Sequence, residues 1–405
     1  MKKDPFSSLF TPVTQALMQK FREEGSELRF VGGAVRDCLL GLPPKDIDFS
    51  TPALPDSVMR WVQQIGLQAV PTGVLFGTIT ACAPTKETFE ITTLRRDIWT
   101  NGRHASIEFS SSWVEDASRR DFTINALYCD DRGRLYDFFD GEKDLEEGYI
   151  RFIGDPQERI AEDFLRILRY FRFWAHFGRI APNADLLRLL EESAFQLEKL
   201  SGERIWKELR EILLAARFAK TFWLMRRVLA SMLGMGFPHV AKYSFWDHSL
   251  FQDPLLRLSL GITSETSYQF IKTRLHLSDK EARKLHAFIS YEIYNARDAE
   301  KRLCRALKIP QENLRPACLA IDVARTVLSD ELKEEEAFPI LDAITTTTFP
   351  SFPLTGNSLI ENGIYPGFLM GEILKKTRLW WISKGGTPTK EECLTIALKI
   401  NKDIS

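Results

Sequence analysis

From about residue 155 onward, apolar positions recur every three or four residues. The period predicts amphipathic helices over 157–177, 184–199, 203–217, 220–232, 279–296 and 298–307. The first 140 residues follow another rhythm, in which short apolar runs at Leu28–Val31, Ile47–Ser50, Gly77–Cys82, Phe89–Thr93 and Leu127–Cys129 predict strands among helical stretches. The expected fold class is an α+β N-terminal head, with a small mixed sheet and helices, followed by an all-α remainder. Turn-forming residues at Gly154–Pro156, Leu233–Pro238 and Phe349–Pro353 mark the expected joints. The resulting division is a head (1–142), a helical neck (143–217), a helical body (218–348) and a helical tail (349–405).

Composition narrows the class. At 405 residues, with 44% hydrophobic and 27% charged positions, the chain reads as an ordinary soluble protein of several domains. Its 54 Lys and Arg nearly cancel 55 Asp and Glu, so a nucleic-acid surface must come from local clustering. The cysteines (Cys38, Cys82, Cys129, Cys304, Cys318, Cys393) show no CxxC or Cys/His spacing, which predicts reduced thiols rather than disulfides or zinc ligands. The N-terminal stretch has no uninterrupted apolar segment, and nowhere do about 18 apolar residues run together. The expectation is a cytoplasmic protein with no membrane partner.

Three constellations carry chemistry. In Phe30-Val31-Gly32-Gly33-Ala34-Val35-Arg36-Asp37, a strand runs through two glycines into a helix. Such a turn presents backbone N–H groups to an anion, with Arg36 one turn in, although a plain tight connection reads the same way. Lys45-Asp46-Ile47-Asp48-Phe49 follows, and alternation on an extended segment puts Asp46 and Asp48 on one face. Two ionised carboxylates so placed repel each other unless solvated or bridged by a cation. Their hard oxygens suit Mg²⁺, which takes one or two carboxylates and fills its other positions with water and phosphate oxygens.

The second is Arg119-Arg120-Asp121-Phe122-Thr123-Ile124-Asn125. Here guanidiniums suited to phosphate precede a carboxylate and an amide that would share a helix face and could bond ribose hydroxyls; a surface ion cluster is the competing reading. The third is Glu162-Asp163-Phe164-Leu165-Arg166, continuing to Arg169 and Arg172, in a segment of helical period. Asp163 and Arg166 are expected as neighbours on one helix, where an intrahelical ion pair is the plain alternative. Basic residues from Lys272 to Lys284 and at Lys301, Arg302, Arg305 and Lys308 suggest either a phosphate-binding surface or solvated helix faces.

Together these runs resemble the polymerase-β-like nucleotidyltransferases, specifically the class of tRNA nucleotidyltransferases and poly(A) polymerases. GGAVRD followed by DID is similar to that family's first motif, RRDFTINAL to its second, and EDFLR to its base-reading motif. The resemblance implies template-independent addition of the CCA end of tRNA from CTP and ATP, with Mg²⁺ held by Asp46 and Asp48 and pyrophosphate released. Glu90, on a neighbouring strand, is the candidate third ligand. Nucleotide contacts fall to Gly32, Gly33, Arg36, Arg120, Asp121 and Asn125, base selection to Asp163 and Arg166, and pocket or RNA contacts to Arg169 and Arg172. Cytosine and adenine both offer an amino donor beside an unprotonated ring nitrogen. A carboxylate and a guanidinium match that edge and clash with uracil or guanine. Residues Arg95–Phe109 read as a polar loop, similar to the family's flexible loop, and Thr355–Gly371 resembles its C-terminal segment. An A-adding enzyme, a poly(A) polymerase and a non-catalytic tRNA-binding protein are the alternatives. Gly73-Val74-Leu75-Phe76-Gly77-Thr78 departs from the basic run that poly(A) polymerases tend to carry there.

Overall fold

The computed structural model describes residues 4–100, 105–234, 236, 242–262, 264–289, 299–309 and 312–404. The chain divides into two compact units, Met1–Ile212 and Leu213–Ser405. The expected head (1–142) falls within the first, as does the expected neck (143–217) up to Ile212.

In that unit, strands β1 (Arg29–Val31), β2 (Ile47–Thr51), β3 (Gln68–Gly73), β4 (Thr78–Cys82), β5 (Thr88–Thr93), β8 (Leu127–Cys129) and β9 (Leu135–Asp137) form one sheet ordered β3-β4-β5-β2-β1-β8-β9. The β2–β5 pairing is parallel and the others antiparallel, so the sheet is mixed as expected. Alternation of side chains gives its faces different work. Phe30, Phe49, Phe89, Ile79 and Ile91 point into a core shared with α1 (Pro12–Glu23), α2 (Gly33–Leu39) and α3 (Pro55–Gln64). The register sets Val31 opposite Asp48 and Asp48 opposite Glu90, so these three share the other face. Helix α1 starts where the Thr11 hydroxyl accepts from Thr14 N at 3.2 Å, with Pro12 pre-set for the first turn.

The polar stretch expected as a loop carries two paired strands, with residues 101–104 between them outside the described residues. β6 (Arg95–Thr100) pairs antiparallel with β7 (Ala105–Phe109), and Arg96 faces Glu108 across the ladder in a 2.6 Å ion pair. A cross-strand charge pair of this kind stabilises a ribbon whose composition is otherwise polar.

The rest of the unit is helical: α4 (Trp113–Ser118), α5 (Gly141–Glu147), α6 (Pro156–Glu162), α7 (Leu165–Phe177), α8 (Ala184–Glu192) and α9 (Gly202–Leu214). The helix expected over 157–177 is therefore two, with Asp163 between them. The one expected over 184–199 ends at Glu192 and continues as a 3₁₀ stretch, Ala194–Lys199.

The second unit is all-helical in its described elements, from Phe218–Leu224 to Lys390–Ile404. The helix expected over 220–232 is broken at Met225, between Phe218–Leu224 and Arg226–Leu233. Toward its C-terminal end, Leu307, Leu359, Ile373, Trp381 and Ala397 form one apolar core. Among the basic residues expected at a phosphate surface, Arg305 is instead buried and bonded to Asp322 at 3.1 Å, and Lys284 is ion-paired with Asp253. The side chains of Lys301 and Arg302 lie outside the described residues, as do Met235, Phe237 and Pro238 of the Leu233–Pro238 joint. Cys38, Cys82, Cys129, Cys318 and Cys393 are free thiols. Among the described residues, no helix is long and apolar enough to cross a membrane.

Candidate active site

The carboxylate face of the sheet opens on a cleft of about 880 Å³. Gly32, Gly33, Arg36, Asp46, Asp48, Arg120, Asp121, Asn125, Asp163, Arg166, Arg169 and Arg172 all line it. Residues from three separate stretches of sequence thus meet at one place. Glu90 does not line it: it is exposed, although it stands directly across from Asp48 in the β2–β5 ladder.

Asp46 lies just before β2 and Asp48 within it. The Asp48 carboxyl is pushed up to about 6, first by burial and then by the charge of Glu90, with Asp46 adding to it and Arg120 opposing. A carboxylate raised by its neighbours in this way gains most from a bound cation. Among the described residues, no group of three or more His, Cys, Asp or Glu side chains forms a closed metal cage. A pair of carboxylates at an open cleft fits a hydrated Mg²⁺ that shares its coordination with substrate phosphates.

Arg120 is fixed from below. Its Nε donates to the Tyr128 hydroxyl at 3.2 Å, and its Nη2 to Ser50 Oγ at 3.2 Å and Asp116 Oδ2 at 3.1 Å. Asp116 is fully buried and also accepts from Arg119 at 2.6 Å and Tyr128 at 2.8 Å. Burial works against its ionisation, but Arg120, Arg119 and the tyrosine hydroxyl outweigh that and hold the carboxyl at about 2.

Gly32 links β1 to α2 at φ 68° and ψ −121°. An L side chain forced into such a sparsely populated region costs on the order of 1–3 kcal/mol. A Cβ there would also lie 3.4 Å from Asn125 O and 3.7 Å from Arg120 Nη1. Gly32→Ala is therefore expected to lower unfolding stability by about that amount and to weaken nucleotide binding. Urea denaturation and nucleotide titration check this; wild-type values in both would mean that the turn tolerates a side chain.

A chain of polar contacts crosses the cleft. Arg36 Nη1 donates to Asn125 Oδ1 at 2.7 Å, Asn125 Nδ2 to Asp121 Oδ1 at 3.0 Å, and Arg169 Nε to Asp121 Oδ2 at 2.7 Å. Arg169 and Arg172 both approach the buried Glu208, at 3.8 and 3.2 Å. The Arg36 guanidinium also lies 4.4 Å over the ring of Phe177. Asp121 and Asn125 do meet, but on a bend and a 3₁₀ turn (Thr123–Asn125) rather than on the helix expected from their spacing.

The third constellation differs more. Asp163 has extended backbone angles (φ −151°, ψ 107°) and separates α6 from α7. Its Oδ1 accepts from Leu165 N at 3.1 Å, starting α7 in the manner of a capping residue, while its Oδ2 accepts from Arg204 Nη2 at 2.8 Å. Arg166 does not pair with it; Arg166 Nη1 is bonded to Glu162 and to Arg159 O, the latter at 2.8 Å. The expected intrahelical Asp163–Arg166 pair is thus replaced by a pair with α9.

Helix α9 is the element that motif reading missed. Arg204, Lys207 and Glu211 line the cleft and Glu208 lies behind them. The spacing i, i+3, i+4, i+7 of these four marks one helix face, and it was a readable signal. Phe173, His176 and Phe177 on α7 also line the cleft. In all, eight Arg and Lys face six carboxylates there, an excess of positive charge suited to a polyanion.

Residues 28–151 match the poly A polymerase head domain family. The chain is 34% identical over 415 residues to the human mitochondrial CCA tRNA nucleotidyltransferase 1, covering 98% of this chain and 93% of that protein. It is 31% identical to the CCA-adding enzyme of Streptococcus gordonii, covering 95% and 96%. Its fold is similar to the crystal structure of the Bacillus stearothermophilus CCA-adding enzyme in complex with CTP, with TM-score 0.71, 24% identity and 99% of each chain covered.

Proposed function

The chain belongs to the family of CCA-adding tRNA nucleotidyltransferases, and from that premise we propose how its cleft divides the work of adding C, C and A to a tRNA 3′ end. The enzyme joins nucleotides from CTP and ATP to tRNA without a nucleic-acid template. The RNA 3′ oxygen bonds to the α-phosphorus of the nucleotide, the bond to the β-phosphate bridge breaks, and pyrophosphate leaves. The observation that carries the residue assignment is the convergence of all three motif groups on one cleft, with the carboxylate pair beside an excess of cations.

Asp46 and Asp48 would hold Mg²⁺. When bound, this ion favours ionisation of the attacking hydroxyl and neutralises charge on the leaving pyrophosphate. Gly32, Gly33, Arg36 and Arg120 hold the triphosphate, and the rigid mounting of Arg120 on Asp116 and Tyr128 keeps its guanidinium aimed before substrate arrives. Asp121 and Asn125 shape the ribose end. Asp163 accepts from the amino group common to cytosine and adenine, Arg166 faces the neighbouring ring nitrogen, and Arg169 and Arg172 complete the wall. The second unit, as body and tail, binds the remainder of the tRNA. The setting is cytoplasmic, although the human relative is mitochondrial by name.

The test is extension of tRNAs ending before CCA, after C and after CC, with CTP and ATP supplied separately and together. Every substrate should grow to the same CCA end. Addition to the CC-ended tRNA alone would make the enzyme an A-adding specialist, and long A tails on unrelated RNAs would move it to poly(A) synthesis.

A further inference from the structure

Asp163 stands outside both helices that flank it, so no helical ladder fixes its direction. Its carboxylate is oriented by two contacts: the backbone N–H of Leu165 at 3.1 Å and Arg204 Nη2 at 2.8 Å. The first sets one oxygen relative to α7. The second sets the plane, because a carboxylate held at both oxygens can no longer rotate about its last bond. Arg166 Nη1 is instead taken up by Glu162 and the Arg159 carbonyl. Arg204 Nη1 is buried with no hydrogen-bond partner among the described residues, and the bond to Asp163 is the anchor of that side chain.

We infer that Arg204 is a positioning residue for nucleotide selection: it fixes the Asp163 carboxylate in the orientation that accepts the amino group of cytosine or adenine. The inference rests on the base-reading role proposed above for Asp163. Each carboxylate oxygen already accepts one hydrogen bond and keeps a lone pair for the base, and a plane tilted by loss of Arg204 no longer aligns that lone pair with an amino donor. Discrimination against uracil and guanine then falls, because the unfavourable meeting of carboxylate and carbonyl is relieved by rotation. The triphosphate and the metal-binding carboxylates are held by other elements, so the chemical step persists.

The experiment measures kcat/KM for CTP against UTP on a tRNA lacking CCA, and for ATP against GTP on a CC-ended tRNA, in wild type, Arg204→Met, Arg204→Lys and Asp163→Ala. Arg204→Met is expected to reduce both ratios by about 10- to 100-fold, the scale of one aligned buried hydrogen bond, with a smaller change in kcat for CTP and ATP. Arg204→Lys, which retains a charged donor, should recover part of the ratio. Where Arg204→Met does not fold, Arg204→Gln takes its place. Wild-type ratios in the variant, or an equal loss for all four nucleotides, overturn the inference while Asp163→Ala still loses selection. If Asp163→Ala also retains selection, the base-reading role itself fails and the inference fails with it.

Discussion

Asp46→Ala and Asp48→Ala are each expected to abolish measurable nucleotide addition, lowering kcat/KM by on the order of 10³-fold, as when preorganised stabilisation of transition-state charge is removed. Circular dichroism and melting should show an intact fold, because Asp46 is exposed and Asp48 faces the cleft rather than the apolar core. The pH dependence follows from the sign of the shift. Asp48 holds its proton up to about 6 because of burial and the nearby Glu90 and Asp46 charges. In metal-free protein, its contribution to stability is therefore present at lower pH and is lost as pH rises through about 6. Mg²⁺ needs the ionised form, so the gain in melting temperature on adding Mg²⁺ should be small at pH 5 and larger at pH 7.5. That difference should vanish in Asp48→Asn. Full incorporation by Asp48→Asn, or a Mg²⁺ effect that ignores pH, would sink the assignment.

The site was legible because each motif keeps its chemistry within a few residues, and strand or turn geometry converts that spacing directly into direction. Asp46 and Asp48 needed only the two-residue period of an extended segment, and Gly32-Gly33 only the strand-to-helix turn. The failures all involve continuity or long range. Apolar residues continue at helical spacing through Phe164, Leu165, Ile167 and Leu168, so the period conceals the single extended residue at Asp163. An aspartate two residues before a helical N–H is a recognisable cap, and that cue competes with the period. For Arg95–Phe109, polar composition and Asn101-Gly102 predict a loop, yet the two arms pair as β6 and β7 because strand pairing satisfies their backbone groups whatever the polarity of the side chains. The contribution of α9 rests on contacts 41 residues apart, such as Arg204 to Asp163, which no local pattern encodes. Its charged face reads equally as a solvated one until the fold brings it against the cleft.

Asp121 shows how such contacts alter the meaning of a motif. Its spacing and family resemblance direct it to ribose, yet its carboxylate already accepts from Phe122 N at 2.9 Å, Asn125 Nδ2 at 3.0 Å and Arg169 Nε at 2.7 Å. Burial opposes its charge, but Arg169 and these hydrogen bonds prevail and hold the carboxyl at about 2. Its stabilising contribution is thus complete above the ordinary carboxylate range and is lost only as pH falls toward 2. Asp121→Ala leaves the Arg169 guanidinium without its closest carboxylate and frees Asn125, and with it Arg36, at the phosphate end of the cleft. Breaking a buried pair costs 3–5 kcal/mol; with Arg169 still partly exposed, about 3 kcal/mol is expected, or roughly 6–12 °C in melting temperature for a unit of this size. Activity should fall with CTP and ATP alike, since the hydrogen bonds broken by the substitution hold the phosphate end and the cleft wall rather than the base. Melting curves and parallel kinetics with ribo- and 2′-deoxynucleotides decide between the two roles. A stable Asp121→Ala protein that merely ceases to reject deoxynucleotides would show that the side chain works on the sugar, whereas a destabilised one with unchanged sugar preference identifies it as the tie between the second motif and helix α7.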